Sequence, residues 1–262
     1  MSTTESPTRY ELDDHIARIR LDRPERLNAV TPALYESLES RLEQAAADDA
    51  RVVILEGAGR AFCVGADMKN HGEVQRSTEE RQEYVWNAQN ACEEVQTHPA
   101  PVVAKVHGYA IGAGAELALS ADFVITASDA EFRFPEVSIG TYVGGGITYT
   151  LARRVGQARA KELVLSAATL DGAEAASEGV ATTAVPDPDL DETVAELASS
   201  LASHAPIPMQ LAKSNFNRAG DATRDELIDA EAEALLQCMA TADWEEGVEA
   251  FAEDRDPTFV GE

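Results

Sequence analysis

Three short apolar runs place the strongest limit on the folds open to this chain. They are Arg51–Gly57 (RVVILEG), Pro101–Val106 (PVVAKV) and Asp122–Ala127 (DFVITA). Apolar runs of this length, bounded by glycine or proline, are typical of strands buried on both faces, as in a sheet covered by helices. Glycine-rich loops and helical segments follow these runs, so the sequence predicts an α/β fold built from β-β-α units.

The N-terminal segment predicts a strand and a helix ahead of these buried strands. Residues Tyr10–Leu21 alternate between apolar and polar side chains, which indicates one strand that ends at the Arg23-Pro24 step. Thr31 and Pro32 are the residue types preferred at the N-cap and at the first position of a helix. Leucines recur every fourth residue after them, which predicts one apolar helix face.

The C-terminal half is predicted to be mostly helical. Prolines and acids in Ala184–Glu192 follow a short strand-like run and indicate a linker. We therefore predict a core domain over residues 1–190 and a helical C-terminal region over residues 191–262. The predicted helices are Thr148–Val155, Ala158–Ser166, Asp171–Glu178, Asp191–His204, Ile207–Arg218, Thr223–Cys238 and Asp243–Glu253.

The charge balance limits the classes of partner. The chain has 47 acidic and 21 basic residues, a formal net charge of −26, and four of its basic residues are lysines. Such a surface repels phosphate backbones and anionic lipids, so we expect neither nucleic acid nor membrane as a partner. The acids are spread through apolar-containing segments, which is typical of a folded protein adapted to a salt-rich cytoplasm.

Targeting signals and cysteine pairing are not indicated. The N-terminus lacks a basic segment followed by an apolar one, and no apolar run is long enough to span a bilayer, so we expect a cytoplasmic protein. Cys63, Cys92 and Cys238 are odd in number and far apart, which predicts small buried side chains rather than disulfides.

Glu116 is the only charged residue before Asp122 in the apolar, glycine-rich stretch from Gly108 to Thr126, GYAIGAGAELALSADFVIT. A helix that begins near Gly112 presents free N–H groups and a positive dipole end, which suit a developing oxyanion. Glu116 lies in the first turn of that helix. An acid there is also a common surface feature, but apolar neighbours predict a partly buried carboxyl whose pKa is raised toward neutrality.

A second carboxyl occurs in a similar setting. Glu136 follows Pro135 after a short strand and precedes the Gly144-Gly145-Gly146 turn. Taken alone it is equally typical of a loop acid, but two acids in an apolar part of an acidic chain can hold a water and exchange protons with it.

Several other chemistries lack their usual markers. Neither the G-x-G-x-x-G nor the G-x-x-x-x-G-K-[ST] pattern occurs, so a nucleotide cofactor is not predicted. The five histidines show no HExxH spacing and no G-x-S-x-G is present, so we predict neither a metal site nor a serine hydrolase.

Four motifs in order resemble those of the enoyl-CoA hydratase/isomerase (crotonase) superfamily. They are RPERLNAV from Arg23, AGRAFCVGADMKN from Ala58, HGYAIGAGAELALSADFVI from His107 and FPEVSIG from Phe134, and the segment from Trp244 is similar to the family's last helix. The resemblance covers nearly the whole chain. It implies a crotonase-like spiral of β-β-α units with a helical C-terminal region that forms a homo-oligomer, a trimer or a hexamer.

The resemblance also implies roles for individual residues. The backbone N–H groups of Ala66 and Ala113 match an oxyanion hole for the thioester oxygen of an acyl-CoA. Glu116 and Glu136 match two catalytic glutamates, and Gly144 matches a glycine whose N–H helps hold the catalytic water. The residues implied to bind the coenzyme A part of the substrate are Phe62, Val64, Asp67, Met68 and Lys69.

The reaction implied is that of an enoyl-CoA hydratase: reversible syn addition of water to a 2-enoyl-CoA to give a 3-hydroxyacyl-CoA, with no cofactor beyond the coenzyme A of the substrate. Glu116 would take a proton from water, while Glu136 would orient that water and protonate Cα. One alternative is a Δ3-Δ2-enoyl-CoA isomerase, or a hydratase or lyase for an unusual acyl group. A second is a family member that binds acyl-CoA without catalysis.

One segment departs from the family pattern. Fatty-acid hydratases usually carry a segment like IPGAGGTQRL after the second glutamate, and this chain has YVGGGITYTL. Val143, Ile147, Tyr149 and Thr150 replace a proline, a glycine, a glutamine and an arginine. These positions lie near the implied acyl pocket, so they bear on the choice among acyl groups and reactions.

Overall fold

A computed structural model describes residues 6–68 and 76–262. It has an α/β core and a helical C-terminal region, which confirms the predicted fold class. The strands are β1 Thr8–Asp13, β2 Ile16–Leu21, β3 Val52–Gly57, β4 Val102–Val106, β5 Tyr109–Ile111, β6 Phe123–Ala127, β7 Glu131–Arg133, β8 Thr169–Asp171 and β9 Thr183–Val185. The helices are α1 Pro32–Ala47, α2 Thr78–Thr97, α3 Ala113–Ser120, α4 Ile147–Val155, α5 Gln157–Leu165, α6 Gly172–Ser177, α7 Leu190–Ala202, α8 Pro206–Arg218, α9 Arg224–Cys238 and α10 Ala242–Glu253.

The main sheet has the order β1-β2-β3-β4-β6-β9, and its strands from β2 onward pair in parallel. The three apolar runs form β3, β4 and β6, as predicted, and every residue of β3 is buried. Parallel strands covered on both faces need such continuous apolar runs.

The prediction of one strand over Tyr10–Leu21 is wrong. β1 and β2 form an antiparallel hairpin, with Asp14 and His15 at its turn. Both turn residues have positive φ, 41° and 67°, as tight hairpin turns require. The alternation continues on either side of the turn, so it hid the reversal of the chain.

A second sheet, β5-β7-β8, was not predicted. β7 is the short strand expected before Pro135, but three residues in each strand are too few for an alternating pattern to reveal β5, β8 or the pairing of the three. β5 pairs in parallel with β7 and carries the chain directly into α3. This small sheet therefore sets where α3 begins.

The helix predictions are confirmed in type and approximate extent. The Thr31 side chain caps α1 by accepting a hydrogen bond from the Leu34 N–H, and Pro32 is the first residue of that helix. The seven helices predicted from Thr148 onward are all present, with ends shifted by a few residues. No helix among the described residues is long and apolar enough to cross a membrane.

Helix α7 joins the predicted C-terminal region to the sheet. It packs on the main sheet and buries Leu190, Val194 and Ala198. Lys105 of β4 also forms an ion pair with Asp191 at the start of this helix. α7 therefore contributes to the same hydrophobic core as residues 1–190.

Helix α3 packs unusually close to the loop that follows β3. A Cβ added to Gly114 would lie 2.1 Å from the carbonyl oxygen of Cys63, which is far inside van der Waals contact. Gly114 therefore lets the first turn of α3 touch the backbone of this loop. The loop includes Ala66 and the helix begins at Ala113, so this contact fixes the two segments relative to each other.

We predict that Gly114→Ala lowers the free energy of unfolding by about 1–3 kcal/mol, because the added methyl group overpacks a backbone contact. The matched control is Gly247→Ala in α10, where the nearest atom to the added Cβ is 3.7 Å away on Phe259. This control should gain about 0.5–1 kcal/mol from helix propensity. Denaturant unfolding of both variants measures the difference, and equal stabilities would contradict the close contact.

Candidate active site

The first part of the site is a short extended segment that ends at Asp67. Val30 donates its N–H to the Gly65 carbonyl at 2.8 Å, and the Asp67 N–H donates to the Val30 carbonyl at 3.0 Å. Successive N–H groups along an extended chain point to opposite sides. The N–H of Ala66 therefore points away from Val30, toward the side where Ile111 donates to the Cys63 carbonyl.

The second part is the start of α3. Gly112 precedes the helix with φ 55° and ψ −124°, which glycine adopts readily. Ala113 is the first residue of the helix, so its N–H has no acceptor within α3. A Cβ on Gly65 would lie 2.7 Å from the Ile111 carbonyl oxygen and 3.3 Å from the Ala113 nitrogen. The segments that carry the Ala66 and Ala113 amides are therefore in direct contact, as an oxyanion hole requires.

The RPERLNAV motif supports this arrangement. Arg23 forms an ion pair with Asp67, with Nη2 and Oδ2 3.1 Å apart. Asn28 is fully buried, and its Nδ2 donates to the carbonyls of Ala58 and Ala61 at 2.9 and 2.8 Å. The motif therefore holds both ends of the loop from Ala58 to Asp67.

The residues predicted to bind coenzyme A have different surroundings. The Phe62 side chain is fully buried in the core, so only its backbone can face a ligand. Asp67 is nearly buried and its carboxylate pairs with Arg23, while Val64 is half-buried and Met68 is exposed. Lys69 lies outside the described residues. Among the described residues of this set, the side chains open to a ligand are those of Val64 and Met68.

Glu116 is buried in the first turns of α3, where only 5% of its surface is exposed. The Gly144 N–H donates to its Oε1 at 2.6 Å. The pKa of Glu116 is raised to about 7, mainly because burial disfavours the ionised form; the Gly144 hydrogen bond lowers the pKa, and the nearby charge of Glu136 adds a smaller rise. The carboxyl therefore changes protonation state near neutral pH, as a general base or acid must.

Glu136 begins the 3-10 turn Glu136–Ile139 and is also buried. Burial raises the pKa of its carboxyl, while its own backbone N–H lowers it. A Cβ on Gly112 would lie 2.7 Å from Glu136 Oε1, so this carboxyl rests against the start of α3. Its Oε2 is buried and accepts no hydrogen bond from the described residues. It is therefore an acceptor suited to a water or a reacting proton.

The structure brings together five of the predicted site residues: Ala66, Ala113, Glu116, Glu136 and Gly144. The N–H of Gly144, predicted to help hold the catalytic water, donates instead to Glu116. Direct water binding by Gly144 stays a prediction. The hydrogen bond shows that the Gly144 turn acts on the carboxyl itself.

Sequence reasoning missed two neighbours of Glu116 on α2. Cys92 lies beside Glu116, and both side chains pack around Gly145. Tyr84 is half-buried, and burial together with the charges of Glu116 and Asp67 raises its pKa. Both positions belong to the helix face of α2 that includes buried Ala91 and Val95. The helical period of apolar residues reveals this face of α2 from the sequence. It does not reveal that the face contacts Glu116.

No group of three or more His, Cys, Asp or Glu side chains within residues 6–68 and 76–262 is arranged to hold a metal ion.

A family model described as "Enoyl-CoA hydratase/isomerase" matches residues 11–262. The chain belongs to the enoyl-CoA hydratase/isomerase family. It is 36% identical to a probable enoyl-CoA hydratase of Rhodobacter capsulatus, with 97% of each chain covered. It is 32% identical to the 2,3-dehydroadipyl-CoA hydratase of Escherichia coli, over 93% of this chain and 94% of that protein.

Solved structures show the same fold. A crystal structure of an enoyl-CoA hydratase from Bacillus anthracis is 34% identical and superimposes with a TM-score of 0.93, over 98% of this chain and 100% of that one. The predicted crotonase-like fold and membership of the superfamily are thereby confirmed. The roles of individual residues remain predictions that the geometry supports.

The buried Glu116 gives a pH-dependent stability that can be measured. Its folded-state pKa, about 7, lies above the ordinary glutamate value of 4.5, so the folded protein binds this proton more tightly than the unfolded chain does. The contribution to stability is therefore present at low pH and is lost as the pH rises from about 4.5 to about 7. Glu116→Gln stays neutral and can still accept the Gly144 N–H, so it should be more stable than wild type above pH 7, by up to about 3 kcal/mol.

Denaturant unfolding of wild type and Glu116→Gln between pH 5 and 8 checks this prediction. The control is Glu192→Gln, an exposed glutamate on α7. It should leave the slope of stability against pH as in wild type. Parallel curves for Glu116→Gln and wild type would show that burial does not perturb this carboxyl.

Proposed function

We propose that this protein is an enoyl-CoA hydratase, which adds water reversibly and with syn geometry to a 2-enoyl-CoA thioester to give a 3-hydroxyacyl-CoA. The observation that carries the proposal is the pair of buried carboxyls, Glu116 and Glu136, at the start of α3. Both carboxyls have a raised pKa. Glu136 lies against Gly112 at the start of α3, and Glu116 accepts a hydrogen bond from Gly144 in the turn beside it. The names of relatives that match over nearly the whole chain support the same reaction.

The oxyanion hole supplies the electrostatic part of the reaction. The thioester oxygen accepts hydrogen bonds from the N–H groups of Ala66 and Ala113, and it gains negative charge as the enolate forms. The N-terminus of α3 favours that charge. One such donor contributes about 3 kcal/mol to transition-state stabilisation, a factor of about 10² or more in rate.

The two carboxyls supply the proton transfers. Ionised Glu116 accepts a proton from water as the water oxygen bonds to Cβ, and protonated Glu136 delivers a proton to Cα. Repulsion between neighbouring carboxylates disfavours ionisation of both, so ionisation of Glu116 favours the protonated form of Glu136. The atoms of one water are thus added across the double bond, and proton exchange with solvent restores the starting state.

Two other functions were open from the sequence. An isomerase that shifts a double bond from Cβ=Cγ to Cα=Cβ transfers a proton from Cα to Cγ and needs one acid/base carboxyl near Cα, whereas this site has two. A family member that only binds acyl-CoA would have no use for two buried acids, which lower the stability of the fold. Two relatives of equal identity are named for different substrates, 2,3-dehydroadipyl-CoA and short-chain enoyl-CoA. The acyl group is therefore to be identified by comparing turnover of 2-enoyl-CoA substrates of different chain length.

We predict that the purified protein hydrates crotonyl-CoA in buffer containing molar KCl. Loss of the ultraviolet absorbance of the conjugated thioester measures the rate, and a product mass increased by one water identifies the reaction. Glu116→Gln and Glu136→Gln should each lower kcat by roughly 10²-fold or more, since each removes a proton-transfer group.

The matched control is again Glu192→Gln, which should keep the wild-type kcat. The rate of wild type should also fall below about pH 7, as Glu116 becomes protonated. A double-bond shift without gain of water would favour the isomerase, and binding of acyl-CoA with no turnover would favour the non-catalytic function.

We propose that the reaction needs no cofactor or metal, because the backbone amides and the two carboxyls supply the required groups. We also propose a cytoplasmic protein that works at high salt. A net charge of −26 disfavours the compact state through self-repulsion, and salt screens that repulsion. The KCl in the assay follows from this proposal.

We propose that the C-terminal region, predicted as residues 191–262, mediates assembly of a homo-oligomer. Helices α8 and α9 have no buried residue. α8 is nevertheless fixed to the core, because Lys213 forms an ion pair with Asp122 at 2.7 Å and donates to the Ala100 carbonyl. The apolar side chains left exposed on this region include Phe216, Leu235, Leu236, Met239, Trp244, Val248 and Phe251. Exposed apolar side chains in such number are typical of an interface, and we infer that a second copy of this very acidic chain buries them.

We predict a mass of three or six times that of the 28.1 kDa chain by light scattering in molar KCl. Phe251 is 89% exposed, and Phe251→Glu should lower the mass by placing a charge in the contact. Leu12→Glu, at an exposed apolar position on β1, is the control and should keep the wild-type mass. A wild-type monomer would contradict the proposed assembly.

A further inference from the structure

The turn Gly144–Gly146 lies directly over Glu116. The Gly144 N–H donates to Glu116 Oε1 at 2.6 Å, and a Cβ on Gly144 would lie 3.2 Å from Oε2 of the same carboxyl. The turn therefore touches both oxygens of the proposed general base. The hydrogen bond can form only if the packing around the rest of the turn allows this short distance.

Gly145 is the position of the turn with the least room for a side chain. A Cβ at this position would lie 2.8 Å from Glu116 Cβ and 2.8 Å from Cys92 Sγ. Its φ is also positive, at 55°. The next residue, Gly146, has a similar φ of 71°, but an added Cβ there meets no atom within 4 Å. Both glycines therefore have a backbone conformation that would strain any residue with a side chain, and they differ in what an added side chain would meet.

We infer that Gly145 is a positioning residue for hydration: because it has no side chain, the turn closes onto α2 and α3, and the Gly144 N–H can hold the Glu116 carboxyl. The inference rests on the proposed function, in which Glu116 is the base. Gly145 touches the stem of Glu116 and no reacting atom, so it acts only through the position of that carboxyl.

Cys92 forms the other side of this contact. It is buried, and burial raises the pKa of its thiol to about 12, so it packs as a neutral group. The family segment IPGAGGTQRL carries alanine at the place of Gly145, so alanine is not foreign to such a turn. Whether it fits depends on the neighbouring side chain, and here Cys92 Sγ takes the room that a methyl group needs.

The ionisation of Glu116 reports the position of the turn. The Gly144 hydrogen bond stabilises the ionised carboxyl and thereby lowers its pKa. If the turn moves away, the pKa rises and the ionised base forms only at higher pH. Among the described residues, the charge of Glu136 acts on Glu116 and raises its pKa. The charge of Glu116 in turn raises the pKa of its other titratable neighbours, which are Tyr35 of α1, Cys63 of the β3–β4 connection, and Tyr84 and Cys92 of α2.

The test compares Gly145→Ala with Gly146→Ala in the crotonyl-CoA assay, measuring kcat and KM from pH 5.5 to 9. Gly146→Ala should keep kcat and the pH profile of wild type within about twofold, since it adds strain without a contact. Gly145→Ala should lower kcat at pH 7 by about tenfold or more, with a smaller change in KM. Its acid limb should move to higher pH, so that part of the lost rate returns near pH 9.

Cys92→Ala combined with Gly145→Ala tests the contact itself. Removal of Sγ should restore part of the rate and move the acid limb back toward wild type. The acid limb should still lie above that of Cys92→Ala alone, because the contact with Glu116 Cβ remains. If Gly145→Ala does not fold, this double variant measured against Cys92→Ala carries the same test.

Equal kcat and pH profiles for Gly145→Ala and Gly146→Ala would overturn the inference while leaving the hydratase proposal intact. So would a loss of rate in Gly145→Ala that is uniform at every pH, since that indicates a structural effect alone. Failure of the proposed function is a different result: wild type itself would not hydrate crotonyl-CoA, and Glu116→Gln would match it.

Discussion

The site depends on one close approach between two backbone segments, the loop after β3 and the start of α3. Glycines at 65 and 114 make the contact possible, because a Cβ at either position would overlap a carbonyl oxygen of the facing segment. The Ala66 and Ala113 amides are carried on these two segments. Their relative position is therefore fixed by main-chain packing in the core rather than by flexible side chains, which is how a preorganised oxyanion hole avoids reorganisation during reaction.

The same packing explains why the two carboxyls cost stability. α3 is buried along nearly its whole length, so Glu116 enters a poorly solvated region with the helix. Desolvation is the largest influence on the pKa of both Glu116 and Glu136. A hydrophobic residue at either place would pack without that penalty. Retaining two acids there is understandable only if proton transfer near neutral pH is useful, and this is the physical link between the fold and the proposed hydration.

The sequence predicted regular elements well where a long pattern or a cap was present. The buried strands, the capped α1 and the C-terminal helices are examples. It failed where the geometry depends on few residues. The hairpin turn at Asp14 and His15 is hidden inside one alternating run. The sheet formed by β5, β7 and β8 has only three residues in each strand, so no pattern indicates it.

Within the site, residue types predicted the two carboxyls, but not their partners. Nothing in the glycine run from 144 to 146 indicates that one N–H binds Glu116 and that the next residue packs against Cys92. These contacts join segments that are about 25 to 55 residues apart along the chain, so local pattern cannot reveal them. They form because both α2 and α4, with the turn that precedes α4, pack on α3.

The distribution of the few basic residues complements this picture. Glu56, buried in β3, is paired with Arg18, Arg20 and Lys105 at 2.6–2.9 Å. The Lys213 side chain is also largely covered, with 7% of its surface exposed, and its ion pair with Asp122 fixes α8 to the core. Two of the four lysines thus serve internal pairs, where salt screens less than it does at the surface. In a chain with a net charge of −26, these covered pairs keep their attraction while salt weakens the repulsion outside.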